Sequence, residues 1–248
     1  MRKWSSGALQ SPPGPARLSI FLTNRCNLNC RHCWRAWADW DRSCKSELSD
    51  QRWLRLVDEA AEMDVRDWIF LGGGEPLVRR DLVLRMIDKM ASHDMTCLIH
   101  TNGTLFTPAV IDRVMGKNVQ SINFSIDGPD AATNDAIRGG GFEKAVANMR
   151  HFARSKQELG LLSPCLHIYT TITNLAYDKL DRFVDLAASI APDVKVFLSA
   201  LIVEGDATAK LALSAEQRKA FPEFLQKGMR RAEELGIDTN FQQYLDIE

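Results

Sequence analysis

Two hydrophobic periods alternate along the chain. Short runs rich in β-branched and aromatic residues read as strands. They are "RLSIFLT" from Arg17, "DWIFLG" from Asp67, "MTCLIHT" from Met95, "VQSINFSI" from Val119, "CLHIYTTIT" from Cys165 and "DVKVFLSA" from Asp193. Between them, apolar residues recur at helical spacing. One helix is predicted from the cap Ser49 through "WLRLVDEAAEM". Others are "RDLVLRMIDKMASH", "TPAVIDRVMGK" with Thr107 as cap and Pro108 at the first position, "FEKAVANMRHFARSKQELG", "AYDKLDRFVDLAASI" and "SAEQRKAFPEFLQKGMRRAEELG". Gly160 and Gly236 stand where helix-ending glycines belong, and Pro222 is expected to kink or split the last helix. Strict alternation predicts an α/β fold with a parallel sheet and right-handed crossovers. Six such units fall short of the eight of a closed barrel. The expected architecture is therefore a partial (β/α)6 TIM-like barrel.

The strand faces add to this. A parallel strand covered on both sides is normally apolar on both. Here one parity is apolar: Ile122, Phe124 and Ile126; Leu166, Ile168 and Ile172; Val194, Val196 and Leu198. The other is polar: Asn123, Ser125 and Asp127; His100 and Asn102; His167, Tyr169, Thr171 and Thr173; Lys195 and Ser199. The apolar face should meet the helices, and the polar face should line a wet, ligand-holding lumen.

Composition narrows the class. A chain of 248 residues that is 45% hydrophobic can build one large core. Lys and Arg number 31 against 32 Asp and Glu, so no polyanion-binding balance is visible and nucleic acid is not expected. No apolar run approaches the ~20 residues of a membrane span. Residues 1–16 read as a loose, Pro-rich leader without a signal-peptide core, and 17–248 as the barrel domain. With no export signal the expected compartment is the reducing cytoplasm, where clustered cysteines point to metal. Cys97 and Cys165 read as buried free thiols.

Cys26, Cys30 and Cys33 follow the first strand directly, in "TNRCNLNCRHC". That is the end of a barrel strand where active-site loops sit. Two readings fit the spacing. A structural zinc site would need a fourth ligand, Cys44 or His32 being the local candidates. An iron–sulfur cube held by three thiolates would leave one iron open for chemistry.

The C-x3-C-x2-C triad resembles that of the radical S-adenosylmethionine (SAM) enzymes. The likeness is greatest to the branch with molybdenum-cofactor, pyrroloquinoline and peptide-modifying members. Further motifs in order carry it: "LGGGEPLVR" from Leu71, "TNGTLF" from Thr101 and "SIDGPDAATNDAIRGGGFEKAVANMR" from Ser125. The resemblance implies a [4Fe–4S] cluster on Cys26, Cys30 and Cys33, whose open iron takes the amine and carboxylate of SAM. It implies backbone contacts from Gly73 and Gly74 to the SAM amine, with Glu75 nearby. It assigns Ser125 and Asp127 to the ribose hydroxyls and the methionine carboxylate, the weaker candidate Asn102 to the ribose, and Arg138 to the carboxylate. Ser125, Asp127 and Arg138 are expected to have little role in the fold. His32 stands where the family often has an aromatic residue. The implied reaction is reductive cleavage of SAM to a 5′-deoxyadenosyl radical, which takes a hydrogen atom from a substrate. A non-catalytic iron–sulfur or zinc barrel is the rival.

Many relatives carry a cysteine-rich C-terminal extension, and none is expected within this chain. Peptides or cofactor precursors are the expected substrates. Tyr169, Thr171, Thr173 and Lys195 are the substrate candidates, because no SAM motif uses them. Trp34, Trp37 and Trp40 recur every third residue and suggest packing or a dry cover. Arg25, Arg31, Arg35, Arg42 and Lys45 outnumber Asp39 and Asp41 there, which suits a low-potential acidic electron donor such as a flavodoxin or ferredoxin.

Overall fold

The computed structural model describes residues 14–36 and 47–245. Most of the expected leader lies outside them, as do Trp37, Asp39, Trp40, Asp41, Arg42, Cys44 and Lys45. The last residue of that leader is tied down: Ala16 C=O accepts Arg66 N–H at 3.2 Å.

Six strands form one sheet: β1 (Arg17–Phe21), β2 (Asp67–Leu71), β3 (Thr96–Thr101), β4 (Val119–Ser125), β5 (Cys165–Thr171) and β6 (Lys195–Ser199). Their spatial order is their sequence order, and each neighbouring pair is parallel. Among the described residues β1 and β6 do not pair with each other. The barrel is therefore partial, with an open side. The edge of β6 is covered by the segment after the last long helix. Leu198 N–H donates to Asn240 Oδ1 at 2.7 Å, and Asn240 Nδ2 donates to Leu198 C=O at 3.0 Å. The Asn240 side chain thus replaces a neighbouring strand.

The connecting helices are α1 (Asp50–Glu62), α2 (Arg80–Ser92), α3 (Pro108–Val114), α4 (Ala131–Arg138), α5 (Phe142–Glu158), α6 (Leu180–Ile190), the short α7 (Asp206–Ala209) and α8 (Ala215–Leu235). Ser49 caps α1, and Ser214 with Gln217 forms a capping box on α8. α8 runs unbroken through Pro222, against the expected split. The proline removes one backbone donor, while the rest of the helix is held against α6. At Gly228 an added Cβ would meet Leu180 Cβ at 2.9 Å. α6 starts at Leu180 rather than Ala176, because Ala176 and Tyr177 N–H both bond Thr173 C=O in a preceding turn.

The apolar parity packs under the helices: Ile122, Phe124, Ile126, Leu166, Ile168, Val194, Val196 and Leu198 are all buried. Cys97 lies in that layer, where burial pushes its thiol up to about 12. Cys165, expected to be buried, is only half-buried, because it takes the lumen side of β5. No helix among the described residues is long and apolar enough to cross a membrane.

Candidate functional site

The chain leaves β1 through Thr23, Asn24 and Arg25 and enters the cysteine segment. There it crosses the glycine turn that follows β2. A Cβ on Gly74 would overlap the Arg25 carbonyl oxygen, and one on Gly73 would stand 2.9 Å from Asn24 Oδ1. The glycines are thus required first by this chain crossing. Glu75 N–H donates to that same Arg25 carbonyl at 2.9 Å. The Glu75 carboxylate is buried and accepts from Asn102 N (2.7 Å), Thr101 Oγ1 (2.8 Å) and Leu77 N (3.1 Å). Burial pushes its carboxyl up, against these donors, which favour the anion.

At the C-terminal end of the strands lies a cavity of about 560 Å³. Cys26, Cys30 and Cys33 line it, with Gly73, Gly74 and Glu75 from the turn after β2, Asn102 just beyond β3, Ser125 and Asp127 at and just beyond the end of β4, and Arg138 at the end of α4. The cysteines are free thiols. Burial pushes the Cys30 thiol up to about 11; Arg138 opposes this, and Asp127, Cys33 and Cys26 add to it. Leu28 N–H lies 3.4 Å from Cys26 Sγ and Asn102 Nδ2 lies 3.9 Å from it, so donors already face this sulfur. Among the described residues no three His, Cys, Asp or Glu side chains close on one point as a single-ion site requires. The three thiols share a cavity rather than a one-ion cage. A donor set of three thiols, with N–H groups aimed at sulfur and an arginine alongside, fits an iron–sulfur cluster.

Beside the cysteines sits a buried charged group. Asp127 Oδ2 pairs with Arg138 Nη1, and Asp127 Oδ1 accepts Thr171 N–H at 2.7 Å. His32 Nε2 lies 3.4 Å from Asp127 Oδ2, and its Nδ1 has no hydrogen-bond partner among the described residues. Burial alone would raise the Asp127 carboxyl, but Arg138, His32 and the Thr171 amide hold it below the usual range. This corrects the expectation that Asp127 and Arg138 have little role in the fold: they join β4, α4 and β5. The side chain of Asn102 is likewise engaged. Its Nδ2 donates to Asn27 Oδ1 at 2.9 Å and its Oδ1 accepts from Thr104 Oγ1 at 2.7 Å, which anchors the cysteine segment to β3.

Lumen-facing residues form rows set by strand register. His100, Asn123, His167 and Lys195 are successive partners across β3 to β6. One row higher lie Ser125, Tyr169 and Phe197, and above them Thr171 beside Ser199. Asn123 ties the lower row together, with Nδ2 3.1 Å from His100 Nε2 and Oδ1 2.9 Å from His167 Nδ1. Burial brings both histidines down to about 4, and Lys195 and His100 further lower His167.

Tyr169 and Thr171 line the cavity; Thr173 and Lys195 do not. β5 ends at Thr171, so its alternation no longer governs Thr173, whose side chain is fully buried. Lys195 is in the lower row, away from the cysteines, with Nζ 2.7 Å from Asp238 Oδ2. Neither is retained as a substrate candidate. The cavity also takes Leu71, His100 and the segment Ser199–Ile202, which the sequence did not single out as a site. His100 and Ser199 had a signal, their polar parity; residues 200–202 had none. Trp34 lines the cavity as well, with its ring 6.3 Å from that of Phe21.

Residues 20–187 match the family model described as the radical SAM superfamily. The chain belongs to this superfamily. Its members use a [4Fe–4S] cluster and SAM, which suits the thiol-lined cavity. The chain is 32% identical over 183 residues to a mycofactocin maturase of Mycolicibacterium smegmatis, covering 73% of this chain and 44% of that one. It is 35% identical over 147 residues to a PqqA peptide cyclase of Granulibacter bethesdensis, covering 59% and 38%. It spans less than half the length of these curated relatives. Among solved structures, SuiB of Streptococcus suis bound to S-adenosylmethionine superposes with a TM-score of 0.73 at 16% identity, covering 95% of this chain and 54% of that one. This likeness bears on the fold, a partial barrel.

Proposed function

We propose that the chain is the catalytic barrel of a radical SAM enzyme that acts on a peptide. The observation that carries this is convergence: three free thiols and all seven SAM candidates line one cavity. Cys26, Cys30 and Cys33 would hold the [4Fe–4S] cluster. Bound there, cluster and SAM together supply reductive cleavage of SAM to methionine and a 5′-deoxyadenosyl radical that removes a hydrogen atom from the substrate.

The chain's own residues have separate parts. Gly73, Gly74 and Glu75 present backbone at the turn beside the cysteines. Arg138, buried and cationic, offers the guanidinium that a ligand carboxylate pairs with. Asp127 holds Arg138 in place and keeps His32 beside the thiols. Ser125 supplies a hydroxyl for the ribose. Tyr169, Thr171 and His100 line the cavity on the β3 and β5 side and suit contact with substrate. Leu71, Trp34 and Leu201 limit water near the reacting groups.

The name of the peptide cyclase supports a peptide substrate. A low-potential donor such as a flavodoxin or ferredoxin would dock at the basic surface of the cysteine segment, where Arg25 and Arg31 are accessible. A reducing, cytoplasmic setting belongs to this proposal. The test is anaerobic reconstitution followed by reduction in the presence of SAM. About four irons per chain and release of 5′-deoxyadenosine are expected. A reconstituted cluster that leaves SAM intact would reject the reading.

A further inference from the structure

We propose that Glu47 is a positioning residue that sets the cysteine segment and the glycine turn together. The inference deepens the function proposed above and rests on it. Glu47 stands where the chain returns from the cysteine segment toward α1. Its carboxylate gathers the loop that leads from β1 into that segment. Thr23 Oγ1 donates to Glu47 Oε1; Arg25 Nε donates to Oε1 at 3.2 Å and Arg25 Nη2 to Oε2 at 3.1 Å. Thr23 Oγ1 in turn accepts Arg25 N–H at 3.0 Å.

Arg79 closes the other side. Its Nη1 lies 3.7 Å from Glu47 Oε2 and donates to Leu22 C=O at 3.1 Å. Its Nη2 donates to Leu48 C=O at 2.9 Å and to Asp50 Oδ1 at 2.7 Å. The chain entering the cysteine segment and the chain leaving it are thus fastened to each other. Glu47 and Arg79 side chains are each 9% exposed, and Arg25 reaches the carboxylate from the solvent side, 40% exposed. A fork of charged donors on one carboxylate is among the stronger polar contacts a protein makes.

The clasp also reaches the turn. The Arg25 carbonyl takes the Glu75 N–H and occupies the place a Cβ on Gly74 would fill. Arg25 is the neighbour of Cys26. A shift of Arg25 therefore moves a cysteine ligand and the glycine turn at once. An ion pair serving only the fold would change melting without touching either.

Glu47→Gln keeps the size and one acceptor oxygen while removing the charge. The control is Glu59→Gln, which breaks an exposed pair with Arg55 on α1. Three quantities are measured: the rate at which a chelator strips iron from the anaerobically reconstituted protein, the SAM dissociation constant, and hydrogen exchange at the Glu75 amide in the apo-protein. In Glu47→Gln, iron loss about tenfold faster and SAM affinity about tenfold weaker are expected, each equal to about 1.4 kcal/mol. Exchange at Glu75 should quicken while that at the core residue Ile99 does not, and Glu59→Gln should match wild type throughout. A Glu47→Gln protein that melts earlier yet keeps wild-type iron loss, SAM affinity and Glu75 exchange overturns the inference. A wild-type chain that takes up no cluster overturns the proposed function, and the exchange measurement reads the clasp separately.

Discussion

Arg138 joins ligand chemistry to the stability of the barrel. Its guanidinium neutralises a carboxylate that is 1% exposed. Removing one partner of a buried pair leaves the other uncompensated, so Arg138→Ala should cost about 3–5 kcal/mol in chemical denaturation as well as abolish SAM binding. A cost near zero would mean that the pair is dispensable to the fold. Histidines supply a second check. His100 and His167 are brought from 6.5 down to about 4, so the unfolded chain takes up protons before the folded one does. Their contribution is intact above about pH 6.5 and is lost as pH falls toward about 4. His100→Gln should flatten the pH dependence of stability within that window; an unchanged slope there would show that His100 protonates as freely folded as unfolded. The residue types at these positions were visible in the sequence. Their partners were not: Asn102 faces Asn27 and Thr104, and Asp127 faces Arg138 and the Thr171 amide, only after distant strands have come together.

Turns and edges carry the constraints of the next scale. The glycine turn after β2 is a crossing point of two chains, and Gly74 has no room for a methyl group. Gly74→Ala should displace Arg25 and reduce iron uptake on reconstitution, which iron analysis against wild type would show. On the far side, Asn240 satisfies both polar groups of Leu198. Asn240→Ala leaves the Leu198 amide without its partner, while the carbonyl keeps the Tyr244 hydroxyl at 2.8 Å, so the cost is about 1–3 kcal/mol for one unsatisfied amide. Thermal melting would test this, and an unchanged midpoint would show that water replaces the side chain freely. The six strands and six of the helices were legible because burial imposes periods of 3.6 and 2 on the sequence, whereas the short α4 and α7 were not read as helices. The start of α6 was not legible, because the Thr173 turn shares the polar, small-residue character of a helix start. The continuity of α8 through Pro222 depends on its contact with α6, which local sequence does not contain.

At the scale of the whole molecule, register separates residues that the sequence treats alike. Lys195 and Tyr169 share a lumen-facing parity, yet Lys195 lies in the lower row and pairs with Asp238 while Tyr169 lines the cavity. Lys195→Ala should therefore leave SAM cleavage at the wild-type rate and cost at most about 1 kcal/mol, the range for an exposed pair. Loss of 5′-deoxyadenosine formation in that variant would return Lys195 to the site. Tyr169→Phe should lower turnover of a peptide substrate more than it lowers cleavage of SAM alone.

By itself the sequence determined that six strands alternate with helices, that one strand face meets the helices and the other a polar lumen, and that three cysteines follow β1. These features repeat locally, so a window of a few residues holds them. Tertiary structure decided which polar residues remain available to a ligand. Strand length ended the alternation of β5 at Thr171 and buried Thr173. Register placed Lys195 away from the cysteines, and a segment beyond α8 supplied its partner Asp238. Chain crossing, rather than ligand contact alone, explained Gly73 and Gly74. Each of these outcomes depends on contacts between segments far apart in the chain, and local pattern carries no record of such contacts until the fold brings the segments together.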